Sequence, residues 1–210
     1  MIEKRIQEKG ILAKLLEKGI KILLVKECKK ISNIKINIIS SSTQIIRGEI
    51  ERITILAEDI NYKDLLFDEF DLEANNLKIN FKLPNKELSF INNPIIKFHI
   101  SLSKNSLRNI LLSDNWNWIG NMISKEILNK EKLEDIEISN GQLLMKASEE
   151  NITLNKSEQI NIKIEKGKVY LENKTYNKSI RIPIEDKIYI ENVKIENNLI
   201  KICASSPISF

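Results

Sequence analysis

Near residue 33 the spacing of apolar residues changes from a helical repeat to strict alternation. This switch restricts the chain to folds that lay a long helix on β-structure. From Lys9 to Lys29, at about 100° per residue, Ile11, Leu12, Leu15, Leu16, Gly19, Ile20, Ile22 and Leu23 fall in one broad arc. Lys14, Glu17, Lys18 and Lys21 take the other side. The pattern predicts a helix over 9–29 whose apolar stripe must be covered by a sheet, a partner or a membrane surface. Gly19, inside the stripe, either ends the helix or admits a neighbouring backbone, and close approach is the expectation.

Beyond that point the period is two. Ile34, Ile36 and Ile38 alternate with polar residues, as do Ile53, Ile55 and Ala57. Leu77, Ile79, Phe81 and Leu83 follow the same rule, then Ile96, Phe98, Ile100 and Leu102. One greasy and one wet face is the mark of antiparallel strands. Turns are expected at Ser40–Ser42, Asp59–Tyr62, Pro84-Asn85 and Asn92–Pro94. A helical pair interrupts the alternation: Ser103 caps a helix over 104–112, and a second runs over about 115–129. Trp116 and Trp118, two apart, cannot share a helix face, so one is expected to pack inward and the other to be partly exposed.

Strands resume from Ile136. They continue through Leu143 and Met145, Ile152 and Leu154, then Ile160, Ile162 and Ile164, which pair with Val169 and Leu171 across Lys166-Gly167. Ile180 to Ile184 contain Pro183, an edge or bulge signal. The series closes at Ile188, Val193 and Ile200–Ile202. The expectation is a single α+β domain over 1–210: helix 9–29, β-rich 33–102, helical pair 103–129 and β-rich 134–204.

Composition limits function more than it assigns it. With 42% hydrophobic and 30% charged residues, six Gly and four Pro, the 210-residue chain has ordinary globular usage, so disorder is not expected. The abundance of Ile, Lys and Asn is read as genomic base bias. A net charge of +4 is too small for a dedicated nucleic-acid binder and permits only a mild preference for anionic partners such as phospholipid headgroups. Cys28 and Cys203 match no disulfide or zinc spacing and are expected to be reduced, buried thiols. Neither a signal peptide nor a membrane span is recognisable, so a cytoplasmic location, with membrane contact from that side, is expected.

Catalytic constellations are missing from the pattern. His99 is the only histidine and reads as a strand-surface residue. Gly48 and Gly141 belong to no phosphate-cradling loop. Asp68, Glu69, Asp71 and Glu73 read as the charged outer face of a strand rather than a cation site. No catalytic residue, metal or cofactor is expected, and an enzyme is the least favoured class.

The order of elements resembles the LmeA-like phospholipid-binding proteins, a family first catalogued as a domain of unknown function and common in cyanobacteria and actinobacteria. The resemblance is carried by Gln44-Ile45-Ile46-Arg47-Gly48, Ile53–Ala57, Asn61-Tyr62-Lys63-Asp64-Leu65, Leu77–Phe81, and Ile100–Ser103 leading into Leu107–Leu111. It implies a curved antiparallel sheet around helices, like tubular lipid-binding domains, and binding without catalysis. Under it, phospholipid or another apolar ligand lies in a groove between helix and sheet, at a membrane periphery. Ile11, Leu15, Ile22, Phe81, Phe98 and Trp116 are then the expected acyl contacts. The rival reading is a structural or assembly protein with a filled core that grips a polypeptide.

Overall fold

The computed structural model describes residues 10–82, 87–148 and 157–208. Helix α1 spans Ile11–Glu27 and leads into β1 (Lys30–Ile39). A short α2 (Ser42–Ile46) precedes two long strands, β2 (Glu49–Tyr62) and β3 (Leu65–Lys82). Then come β4 (Glu87–Phe90), β5 (Ile95–Ser103) and the helices α3 (Lys104–Leu112) and α4 (Asn117–Ile123). The second helix continues as a π-helical turn over Ser124–Leu128, where Asn129 in left-handed conformation stops it. The remaining strands are β6 (Lys132–Ser139), β7 (Gln142–Ser148), β8 (Glu158–Glu165), β9 (Lys168–Asn173), β10 (Lys178–Arg181), β11 (Tyr189–Glu196) and β12 (Leu199–Pro207).

The strands form two antiparallel sheets, where the resemblance to LmeA-like proteins implied one curved sheet. The first runs β1-β2-β3-β5-β12-β11, with β4 on the far end of β3; the second runs β10-β9-β8-β7-β6. The last hairpin therefore leaves the second half of the chain and joins the first sheet, Ile202 pairing with Ile100 and Ala204 with Phe98. Period-two patterning says which face of a strand is buried but not which strand it pairs with.

Several boundaries differ from the sequence expectation. The turn placed at Asp59–Tyr62 lies instead at Lys63-Asp64, both left-handed, and β2 runs through Asp59 with a local irregularity at its positive φ. The acidic stretch from Asp68 is the first part of β3. The turn at Pro84-Asn85 and the strand at Ile152–Leu154 lie outside the described residues. Hairpin turns at Asn140-Gly141, Lys166-Gly167 and Asn197-Asn198 have both residues at positive φ, as tight two-residue turns require. Seven of the eleven non-glycine residues with positive φ among the described ones are asparagines, so this abundant residue carries structural information after all.

Cross-strand register assigns the faces of the first sheet. Ile36, Ile55, Leu72, Phe98 and Ala204 form one row, and Ile38, Ile53, Ala74 and Ile96 another, all on one face. At the β1–β2 end this face is covered by α1, with Ala13 fully buried against Ile38, Ile53 and Ala74. At the other end Ala204 and Ile190 pack with Val169 of the second sheet. The largest core lies where Leu102 and Ile200 meet α3, the π turn and Ile136, Leu143, Met145 and Ile160. Each such fully buried Ile or Leu is worth roughly 1.5–3 kcal/mol.

The helical pair is fixed by its ends. Ser103 Oγ accepts from Ser106 N, capping α3, and Asp68 accepts from the Ser103 amide. The Trp116 indole donates to Lys63 O at 2.9 Å, and Asn115 and Lys29 both bond Asp64, clasping the tip of the β2–β3 hairpin. Trp116 packs on the core, whereas Trp118 is about half exposed, at 49%.

Candidate functional site

Two concavities merit chemistry, one polar and one apolar. The polar one lies on the open face of the first sheet, where Lys35, Leu56, Asp71, His99 and Cys203 make one cross-strand row. Glu58, Glu69 and Ser101 make the next row. All of these except Cys203 border a shallow cleft of ≈ 330 Å³. The Ser101 hydroxyl donates to Glu69 at 3.0 Å, while His99 Nδ1 stands 3.9 Å from Asp71, beyond hydrogen-bond range. A nucleophilic relay needs the hydroxyl on the imidazole and the imidazole on the carboxylate, and this geometry makes neither link. Among the described residues no group of three or more His, Cys, Asp or Glu could hold a metal ion. Glu69, Asp71 and Glu73 form the expected charged strand face, and Asp68 turns aside to the start of α3.

Both cysteines are free and half-buried rather than fully buried. Burial, helped by the adjacent Glu27 carboxylate, raises the Cys28 thiol above its ordinary pKa.

The apolar concavity is built by a local device. After β1, Ser41 and Gln44 form a reciprocal capping box that starts α2. The helix stops after one turn at Arg47-Gly48, because Gly48 takes φ +75. A Cβ on Gly48 would sit 2.1 Å from the Ile79 carbonyl oxygen, so only glycine lets α2 end against β3. Gly48 O then accepts from Ile79 N at 2.7 Å. The result is a groove of ≈ 510 Å³ walled by Leu16 of α1, Ile45 and Ile46 of α2, Ile50 of β2 and Ile79 of β3, with Arg47 at its mouth. That volume falls within the roughly 300–1,000 Å³ usual for small-molecule sites. Arg47 is exposed and has no ion-pair partner among the described residues.

The groove lies beside α1, not beneath it. Under the helix Ala13, Ile20 and Leu24 pack closely on the sheet, and Glu17 Oε1 accepts from Ile38 N at 2.7 Å. These four residues are the buried side of α1, whereas the centre of the apolar stripe is turned away from the sheet. Ile11, Leu15 and Ile22 are consequently exposed, at 77%, 59% and 60%. No backbone approaches Gly19: a Cβ there would meet no atom within 4 Å, which corrects the expectation of close contact.

The six residues expected to contact ligand are thus not gathered. Ile11, Leu15 and Ile22 share the outer face of α1. Phe98 stacks on Phe70 inside the first sheet's buried face, ring centroids 6.4 Å apart. Trp116 packs with α3 and the second sheet, and the Phe81 side chain lies outside the described residues. The Gln44–Gly48 segment walls a groove that its apolar spacing does not reveal; the local signal for it is the Ser-x-x-Gln capping box followed closely by glycine.

No family model, curated protein or solved structure matches the chain. Among the described residues no helix is long and apolar enough to cross a membrane.

Proposed function

We propose that this protein binds phospholipid, or a ligand with a comparable apolar tail, without catalysis and at the periphery of a membrane. The observation that carries the reading is the open apolar groove between α1, α2 and the β2–β3 pair, with one unpaired guanidinium at its mouth. Transfer of an acyl chain from water to such walls gains about 25 cal/mol per Å² of surface covered. The planar guanidinium of Arg47 suits a phosphate diester, which it can meet with two parallel hydrogen bonds. The resemblance to LmeA-like proteins supports the same reading, since Gln44–Gly48 is among the segments that carry it.

Mass spectrometry of protein purified without detergent, before and after incubation with liposomes, tests the proposal. Bound phospholipid is expected in stoichiometric amount. Leu16→Asp sets an ionised carboxylate on the groove wall, at a half-exposed position that tolerates it, and is expected to reduce uptake about tenfold or more. Protein that stays lipid-free after incubation, or uptake unaffected by the variant, would overturn the reading. The first outcome would leave a scaffold or assembly protein as the better account.

A further inference from the structure

The helix that borders the groove also carries a surface that nothing among the described residues covers. At about 100° per residue, Ile11, Leu15 and Ile22 point within about 30° of directly away from the side that Ala13, Glu17, Ile20 and Leu24 turn to the sheet. Leu16 and Leu23, at 37% and 62% exposure, extend this ridge around one flank towards the groove mouth, where Ile46 is 77% exposed. In an aqueous monomer such a ridge is a standing cost, so it calls for an occupant.

Charge identifies the occupant. Glu17 is turned to the Ile38 amide and Glu27 lies towards the sheet side, so the charges bordering the ridge are Lys14, Lys18, Lys21 and Lys26. None of these four has an ion-pair partner among the described residues, whereas the next two lysines, Lys29 and Lys30, are paired with Asp64 and Asp59. Four lysines without an ion-pair partner among the described residues therefore border the bare apolar ridge. A second copy seated on this ridge would bring lysine rims together. An acidic lipid surface meets both features at once, taking the ridge among its acyl chains and the ammonium groups among its headgroups. At 17 residues, roughly 25 Å, the helix would lie flat rather than cross.

We infer that α1 is a membrane-docking helix that seats the protein on anionic phospholipid through Ile11, Leu15 and Ile22, with Lys14, Lys18, Lys21 and Lys26 reading the surface charge. This goes beyond the groove-binding reading and stands whether or not the groove takes a lipid.

Co-sedimentation of the full chain with vesicles of phosphatidylcholine, alone or mixed with phosphatidylglycerol, tests it. Pelleting with the mixed vesicles is expected, weakening as salt is raised. Leu15→Gln with Ile22→Gln, both at exposed sites and checked for native circular dichroism, is expected to weaken binding about tenfold or more. Replacing the four lysines by glutamine is expected to abolish the preference for phosphatidylglycerol, each lysine contributing about fivefold. Absence of pelleting with mixed vesicles, or pelleting indifferent to the glutamine pair, overturns the inference. So does a concentration-dependent dimer in sedimentation velocity that the glutamine pair disperses, since a second copy would then own the ridge. Lipid uptake measured beside vesicle binding on the unsubstituted chain separates the two proposals: vesicle binding without uptake counts against the groove alone, and uptake without vesicle binding against the helix alone.

Discussion

Gly19 and Gly48 are alike in sequence and opposite in structure. Gly19 sits in the middle of α1 with open space around its Cα. Gly19→Ala should raise stability by about 1 kcal/mol, read from urea denaturation, because alanine restricts the unfolded chain and favours helix. Gly48→Ala should lower it by about 1–3 kcal/mol in the same assay, since φ +75 and the Ile79 carbonyl both oppose a side chain. A reversed order of the two effects would refute the placement of α1 and α2. Asp135 offers a pH-dependent test. Burial pushes its carboxyl up, but the hydrogen bond from Arg108 Nε at 2.8 Å, the Ile136 amide and the charges of Arg108 and Lys104 outweigh this and leave it below the usual value. The folded protein then holds this proton more weakly than the unfolded chain. Its stabilising contribution is present above about pH 4, and it is lost as pH falls through the lowered folded value. Asp135→Asn should flatten that acid limb of stability against pH, and an unchanged limb would count against the pair.

Elements were legible where their signal is local. The α3 helix begins and ends where Ser103 and the Leu107, Ile110, Leu111 spacing place it, because a cap and a period are properties of neighbouring residues. Ser103→Ala should cost about 1 kcal/mol in thermal or chemical melts, and no loss would show the cap to be idle. The Lys166-Gly167 hairpin was equally readable. By contrast, α2 is a single turn, too short for any period to register, and its role in walling the groove depends on where β3 passes. The stripe of α1 was read correctly as apolar, yet its centre does not face the sheet. The helix docks by the side where the small Ala13 lets it approach, together with Ile20 and Leu24, and not by Ile11, Leu15 and Ile22. The exposed ridge, and with it the docking proposal, could not be inferred from the stripe alone.

Across the whole molecule, the pairing of β5 with β12 joins segments about a hundred residues apart and completes the first sheet. Deleting Tyr189–Phe210 would bare the β5 edge and uncover Phe98 and Ile100. Such a chain should be insoluble, or lack cooperative unfolding by circular dichroism; a soluble, cooperatively folding product would show the C-terminal hairpin to be dispensable. The amino-acid order itself determined the α+β class, the antiparallel character of the strands, the Ser103 cap and several turns, since these follow from patterns among neighbouring residues. Only the tertiary structure decided that the strands divide into two sheets, that a groove opens beside α1 with Arg47 at its mouth, and that Ile11, Leu15 and Ile22 face outward. Those features arise from which distant surfaces meet, and apolar periodicity is blind to partners because hydrophobic burial has no direction of its own.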